Sequence, residues 1–269
     1  MDISLSIVIP VYNEHVALNS NLTKIHRFLL KLDIDNKCKE LILVNDGSTD
    51  NTFAILKKFQ GDMSGDSVGI KIVSYEKNRG KGYAIKQGVQ KAQGWYISFM
   101  DIDLSTPLSF FNTLYDEAKK GYPVVIGSRD TEGARVNVHQ PFVRRFLGKS
   151  YYRLLRIFFS MNIKDTNCGF KMFSARKAKA VFDVMISERW AFDFEFLFLS
   201  RKYGFKIKEA PVEWAYDTES KVNLFCDSFY TLFELMKIKY REILGRYPRS
   251  LTLVDEGINV KDKVADGTN

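Results

Sequence analysis

Cysteine, histidine and proline are scarce in this chain, at 3, 3 and 6 residues among 269. Cys38, Cys168 and Cys226 lie far apart and make neither a disulfide framework nor a zinc pattern, so they are expected as small core residues in a reducing compartment. His15, His26 and His139 share no ligand spacing, which excludes a histidine-based metal centre. Long apolar runs are missing too. No stretch reaches the roughly 18 residues that a bilayer span requires, because Asp193 and Glu195 interrupt one candidate and Asp227 and Glu234 the other. The chain enters Ser4–Pro10 almost at once, leaving no room for a signal peptide, so the N-terminus is expected in the cytosol. No Walker sequence and no Gly-x-Gly-x-x-Gly follows a strand, which argues against an NTPase or a dinucleotide enzyme. There is no internal repeat and no low-complexity segment, and a hydrophobic content of 45% suffices for one large core or two modest ones.

What the chain does have is positive charge, with 40 Lys and Arg against 32 Asp and Glu. A net +8 suits an anionic partner: nucleic acid, anionic lipid or a phosphorylated substrate.

The hydrophobic pattern alternates. Apolar runs at Leu5–Val11, Leu41–Val44, Ile70–Tyr75, Trp95–Met100 and Val124–Ile126 read as strands. Between them, Val16–Leu30, a segment capped by Ser48-Thr49-Asp50 and ending near Phe59, Gly82–Ala92 and Leu108–Lys119 read as helices. Such alternation predicts an α/β protein with a mostly parallel central sheet and helices on both faces. Beyond residue 128 the pattern becomes mixed: a short strand at Gly169–Phe173, helices near Ala175–Met185 and Phe192–Tyr203, a strand at Lys206–Ala210 and an amphipathic helix over Asn223–Tyr240. A single domain is expected over residues 1–247, with an alternating part to 127, a mixed part over 128–222 and a C-terminal helix. Residues 248–269 are expected as a flexible tail.

Ligands of parallel sheets bind at the carboxyl ends of the strands. Each polar cluster of the first half lies at such an end: Tyr12-Asn13-Glu14, Asn45-Asp46-Gly47-Ser48, Asn78-Arg79-Gly80-Lys81-Gly82 and Asp101-Ile102-Asp103. They are therefore expected to share one cleft. Asp101 and Asp103, two positions apart after an apolar strand, point the same way and can converge on one hard divalent cation. Alternatively they cap the next helix from a turn. A nucleotide-sugar site needs a ring against the base, an acceptor for the base's N–H edge, cations for the diphosphate and a metal for the leaving group. Tyr12, Asp46, Arg79 with Lys81, and Asp101 with Asp103 can supply these in turn.

These clusters, with Gly127-Ser128-Arg129, resemble glycosyltransferase family 2. Asp165–Phe173, Glu188–Glu195 and Glu219-Ser220-Lys221 are similar to the dolichyl-phosphate glucosyltransferases and, less closely, to the dolichyl-phosphate mannose synthases. The resemblance implies a GT-A-type fold, Mg²⁺ or Mn²⁺, and inverting transfer of a hexose from a nucleotide-sugar donor to a polyprenyl phosphate. UDP-glucose is the expected donor and GDP-mannose the alternative. It further implies that Pro10, Tyr12, Glu14 and Asp46 line the nucleoside pocket, that Asp101 and Asp103 form the ribose and metal site, and that Arg129 and Lys221 contact phosphate. Ser105 stands where the mannose synthases often have Gln, and the membrane anchor common in eukaryotic relatives is not expected here. A reading from another class is a non-catalytic nucleotide-sugar-binding protein at a membrane.

Asp193 and Glu195 are candidates for a general base, which a hydroxyl acceptor would require. A phosphate acceptor needs none, and the pair would then position the acceptor loop, hold nearby cations or complement a helix dipole. Finally, Phe142–Phe159 projects Val143, Leu147, Tyr151, Leu154 and Phe158 to one side and Arg145, Lys149, Arg153 and Arg156 to the other, with no acid between Arg135 and Ile163. This segment is expected to lie on an anionic membrane surface or to pack as an ordinary surface helix. Nucleic acid is not expected, because the aromatics are not interleaved with the cations. The location expected is peripheral, on the cytosolic face of the endoplasmic reticulum in a eukaryote or the inner face of the plasma membrane in a prokaryote.

Overall fold

A computed structural model describes residues 3–34, 38–136, 153, 155–214 and 224–253. In chain order the elements are β1 (Ile3–Val11), α1 (Leu18–Lys31), β2 (Cys38–Asp46), α2 (Thr52–Asp62), β3 (Val68–Tyr75), α3 (Lys81–Lys91), β4 (Tyr96–Phe99) and α4 (Phe110–Lys119). There follow β5 (Val124–Ser128), β6 (Arg135–Val136), β7 (Lys171–Ser174), α5 (Ala175–Val184), α6 (Phe192–Lys202), β8 (Ile207–Pro211), β9 (Glu213–Trp214) and α7 (Leu224–Ile243).

Seven strands form one sheet in the order β3-β2-β1-β4-β7-β5-β8. All neighbours are parallel except β7, which runs antiparallel to both β4 and β5. The small strands β6 and β9 pair separately. Continuous apolar strands are explained by burial on both faces. In β1, Leu5, Ile7 and Ile9 pack with α1, α2 and α4, while Val8 between them faces α3, α5 and α6. The second face is rich in rings: Phe173 and Phe196 lie 4.5 Å apart, and Phe159 sits 4.6 Å from Phe194.

Three expectations need correction. In the basic segment, Leu155 and Phe159 are the buried residues and Phe158 is exposed, so the inward face at 155–159 is displaced by one position from the expected one. The reason is the slot between Phe194 and Phe198, which Phe159 fills; residues 137–152 and 154 lie outside those described. The chain also remains packed past 247: Tyr203 donates to the Pro248 carbonyl at 2.9 Å, and Leu251 packs on the core. Residues 254–269 of the expected tail lie outside the described residues. Cys168 is buried as expected, but Cys38, at the start of β2, is only half-buried.

Candidate active site

The ends of β1 and β2 are tied together by short polar side chains. Asn13, with φ 52°, accepts at its side-chain oxygen from the Thr49 backbone N–H at 2.9 Å, and its own N–H donates to Ser48 Oγ at 3.1 Å. Asparagine tolerates this left-handed conformation better than most residues. Glu14 N–H donates to Thr52 Oγ1 at 2.9 Å. Between these ends Tyr12 leaves its ring 40% exposed, and Pro10 is half-buried.

Asp46, at the end of β2, is almost fully buried and organises the next loop. Its carboxylate accepts from Asn78 Nδ2 (2.9 Å), Arg79 N–H (2.8 Å) and Gly80 N–H (2.9 Å). Gly80, with φ +107°, is required here: a Cβ would lie 2.7 Å from the Glu188 carbonyl and from Arg189 Cγ. This arrangement starts α3 at Lys81 and turns its first residues toward the cleft. Arg79, expected near phosphate, stacks its guanidinium 3.7 Å from the Tyr83 ring centre and pairs with Glu188 at 2.5 Å. An exposed pair of this kind contributes little to stability.

The central cluster is Lys81, Asp101 and Asp103. β4 ends at Phe99, so the two acids sit in a turn beyond the strand. Alternation nevertheless persists, since Ile102 is buried in the core between them. Asp101 Oδ1 is 2.6 Å from Lys81 Nζ. Its Oδ2 lies over Gly169, where a Cβ would come within 2.1 Å of it, so the chain entering β7 must carry glycine at that point. Asp103 reaches the surface of the cleft and accepts from Ser105 N–H at 2.9 Å. Desolvation by the cleft walls, and then the charge of Asp101, raise its carboxyl above the ordinary range. For Lys81, burial opposes the charge, but Asp101 and then Asp193 outweigh it and hold the ammonium above the usual lysine value. These are two hard oxygen donors in a field that favours a cation. Among the described residues, no group of three or more His, Cys, Asp or Glu could hold a metal. The pair Asp101 and Asp103 offers the one or two carboxylates that a Mg²⁺ or Mn²⁺ ion usually takes from protein.

Asp193 and Glu195, in the first turn of α6, both have internal partners. Asp193 is 2.5 Å from the ammonium of fully buried Lys171, which also donates to the Cys168 carbonyl. Burial pushes the Asp193 carboxyl up while Lys171 opposes this. Glu195 is wholly buried and accepts from the backbone N–H groups of Ile186 (3.0 Å) and Ser187 (2.7 Å) and from Tyr247 Oη (2.7 Å). It therefore holds the 185–191 loop, whose Glu188 carbonyl accepts from Tyr83 N–H in the first turn of α3.

A family model described as glycosyl transferase family 2 matches residues 6–182. The chain belongs to this family. It is 32% identical over 251 residues to a dolichyl-phosphate beta-glucosyltransferase of Dictyostelium discoideum, covering 91% of this chain and 76% of the relative. A dolichyl-phosphate beta-glucosyltransferase of Saccharomyces cerevisiae is 33% identical, covering 91% and 77%. Among solved structures, glucosyl-3-phosphoglycerate synthase from Mycobacterium tuberculosis, in complex with Mn²⁺, UDP-glucose and phosphoglyceric acid, superposes with a TM-score of 0.64. At 17% identity over 88% of this chain and 80% of that one, it shows the shared GT-A fold.

In this family 2 glycosyltransferase, Arg129 is held by an internal acid. Its guanidinium makes two bonds to Asp165, Nε at 2.7 Å and a terminal nitrogen at 2.8 Å, and lies 5.1 Å from the Trp214 ring centre. Asp165 is completely buried, so it requires a bidentate cation as partner. Lys221 lies outside the described residues. The elements brought together are thus the ends of β1, β2 and β4, the start of α3 and the 185–191 loop. Lys171, Gly169 and Glu188 were not singled out from sequence as site residues. The usable signal for Lys171 was a lysine inside an otherwise apolar strand, which must find an acid.

Proposed function

We propose that this glycosyltransferase moves glucose from UDP-glucose to dolichyl phosphate or a similar polyprenyl phosphate, with inversion at the anomeric carbon. The observation that carries this reading is the engagement of Asp193 and Glu195. Both candidate bases are committed to internal partners, so the acceptor must attack without proton removal at either. A monoalkyl phosphate meets that condition: its second pKa near about 6 leaves it largely dianionic at neutral pH. A sugar hydroxyl does not. The two relatives whose names specify dolichyl phosphate and glucose support the same choice.

In this reading Tyr12 lies against the base, and Asp46 keeps the 78–80 loop in shape beside it. Asp101 and Asp103 would hold a divalent cation, which when bound neutralises charge on the departing diphosphate. Lys81, already aimed into the cleft, meets the same phosphates. No helix among the described residues is long and apolar enough to cross a membrane, and the lipid acceptor is met from the cytosolic face, with the basic segment before residue 160 on anionic lipid.

The test is a grid of labelled UDP- and GDP-sugars against short- and long-chain polyprenyl phosphates, with and without EDTA. UDP-glucose with a polyprenyl phosphate should give product only with Mg²⁺ or Mn²⁺. Asp103→Ala should lose about 10²–10³-fold in turnover, the usual loss for one such electrostatic contact. Preference for GDP-mannose, transfer to sugar hydroxyls, or full Asp103→Ala activity in EDTA would overturn it.

A further inference from the structure

Helix α7 is apolar on two opposite sides. One side packs into the core through Leu235 and Ile238. The other carries Phe233, Met236, Tyr240 and Ile243, spaced three or four residues apart so that they share one face, and Leu244 follows just past the helix end. All five are exposed, Met236 by 56% and Ile243 by 71%. A soluble surface helix would carry polar groups there, and a continuous exposed apolar face marks a binding surface. The surface continues beyond α7. Lys239 Nζ sits 5.3 Å from the Phe159 ring centre, and a hollow of ≈ 330 Å³ is lined in part by Phe158, Lys239 and Glu242. Ile157, next to Phe158 in the chain, is 70% exposed.

We infer that this outer face of α7, with Ile157 and Phe158, is a lipid-contacting surface that seats the catalytic cleft at the level of membrane headgroups. It rests on the lipid-acceptor reading above and names the surface that serves it. The charges around the face select the occupant. Lys237 lies over the Phe233 ring at 4.5 Å, and Arg246 lies over Tyr240 at 6.0 Å, so apolar rings face outward with cations at their edges. Beside the exposed face, Glu234 is buried and Glu242 pairs with Lys239 at 2.8 Å, so neither acid opposes them. An apolar face with cationic edges matches an anionic bilayer surface. A second copy docked on the same face would bring like charges together across a two-fold axis.

The face also connects to the cleft. Glu234 Oε2 accepts from Ala191 N–H at 3.3 Å, and Arg189 lies 5.4 Å from the Tyr230 ring centre. The same 185–191 loop carries Glu188, which pairs with Arg79 at the site. One side of α7 therefore holds the loop that walls the cleft, while the other faces outward.

The experiment is co-sedimentation of the full chain with phosphatidylcholine vesicles, with and without phosphatidylglycerol, at low and high salt. The variant is Phe233→Ser/Met236→Ser/Ile243→Ser, whose replaced side chains are exposed and whose melting temperature should match the unmodified protein. The unmodified protein should pellet with anionic vesicles, and part of that binding should survive high salt, because apolar insertion is not screened. The variant should lose the salt-resistant part, a fall in partition of roughly tenfold or more. It should keep its kcat/KM on a short, water-soluble polyprenyl phosphate. Equal pelleting of the two proteins overturns the inference, as does a dimer in light scattering that the variant converts to monomer. Turnover of the short acceptor reports on the transferase reading alone, so the two ideas fail separately.

Discussion

Replacing Asp193 by Asn separates a structural acid from a catalytic one. Asp193 and Lys171 form a buried ion pair at 2.5 Å, with Lys171 fully enclosed and only 6% of Asp193 exposed. Removing one member of such a pair leaves the other charge buried and unmatched, at a cost of about 3–5 kcal/mol. For a chain of this size each kcal/mol moves Tm by about 2–4 °C, so Asp193→Asn should melt roughly 6–20 °C lower. Lys171→Met should fall in the same range, since it strands the carboxylate instead. The double variant Lys171→Met/Asp193→Leu removes both charges and should recover most of the loss, because apolar replacement of a whole buried pair is often neutral. That recovery is the non-additivity expected of two groups in contact. Thermal melting by circular dichroism and urea unfolding with unchanged m-values provide the measurement. An Asp193→Asn protein that melts like the unmodified one while losing turnover would refute the structural assignment and return Asp193 to the role of base.

Two further outcomes follow from the same site. Gly169→Ala places a methyl within 2.1 Å of Asp101 Oδ2, so it should push that carboxylate out of place and weaken Mn²⁺·UDP binding by calorimetry; binding equal to that of the unmodified protein would show that Asp101 is not held by this contact. Burial would raise the Asp165 carboxyl, but the Arg129 guanidinium outweighs it and holds the pKa below the ordinary range. A depressed folded-state pKa stabilises above the unfolded value, near about 3.9, and that stability is lost as pH falls below it. Asp165→Asn should therefore lower Tm at neutral pH and flatten its decline below about pH 4; an unchanged acid limb would remove Asp165 from the acid-sensitive groups.

The local pattern was sufficient for much of this molecule. Strands buried on both faces require continuous apolar runs, helices between them require a 3.6-residue period, and both were legible from Leu5 through Ile126. Parallel strands put their carboxyl ends on one side, which is why the sequence alone groups Tyr12, Asp46, Lys81 and Asp101 in one cleft. Long-range pairing was not legible. Nothing in Gly169–Phe173 states that β7 enters antiparallel between β4 and β5, yet that insertion seats Gly169 under Asp101 and brings Lys171 to Asp193, 22 residues away. Arg129 meets Asp165 across 36 residues, and Glu195 meets Tyr247 across 52. An acid in the first turn of a helix reads the same whether it faces substrate, a buried lysine or a backbone N–H, because its sequence neighbours are identical in each case. Only packing, which sets which distant charge or donor lies within hydrogen-bond reach, decided that these acids hold the cleft together.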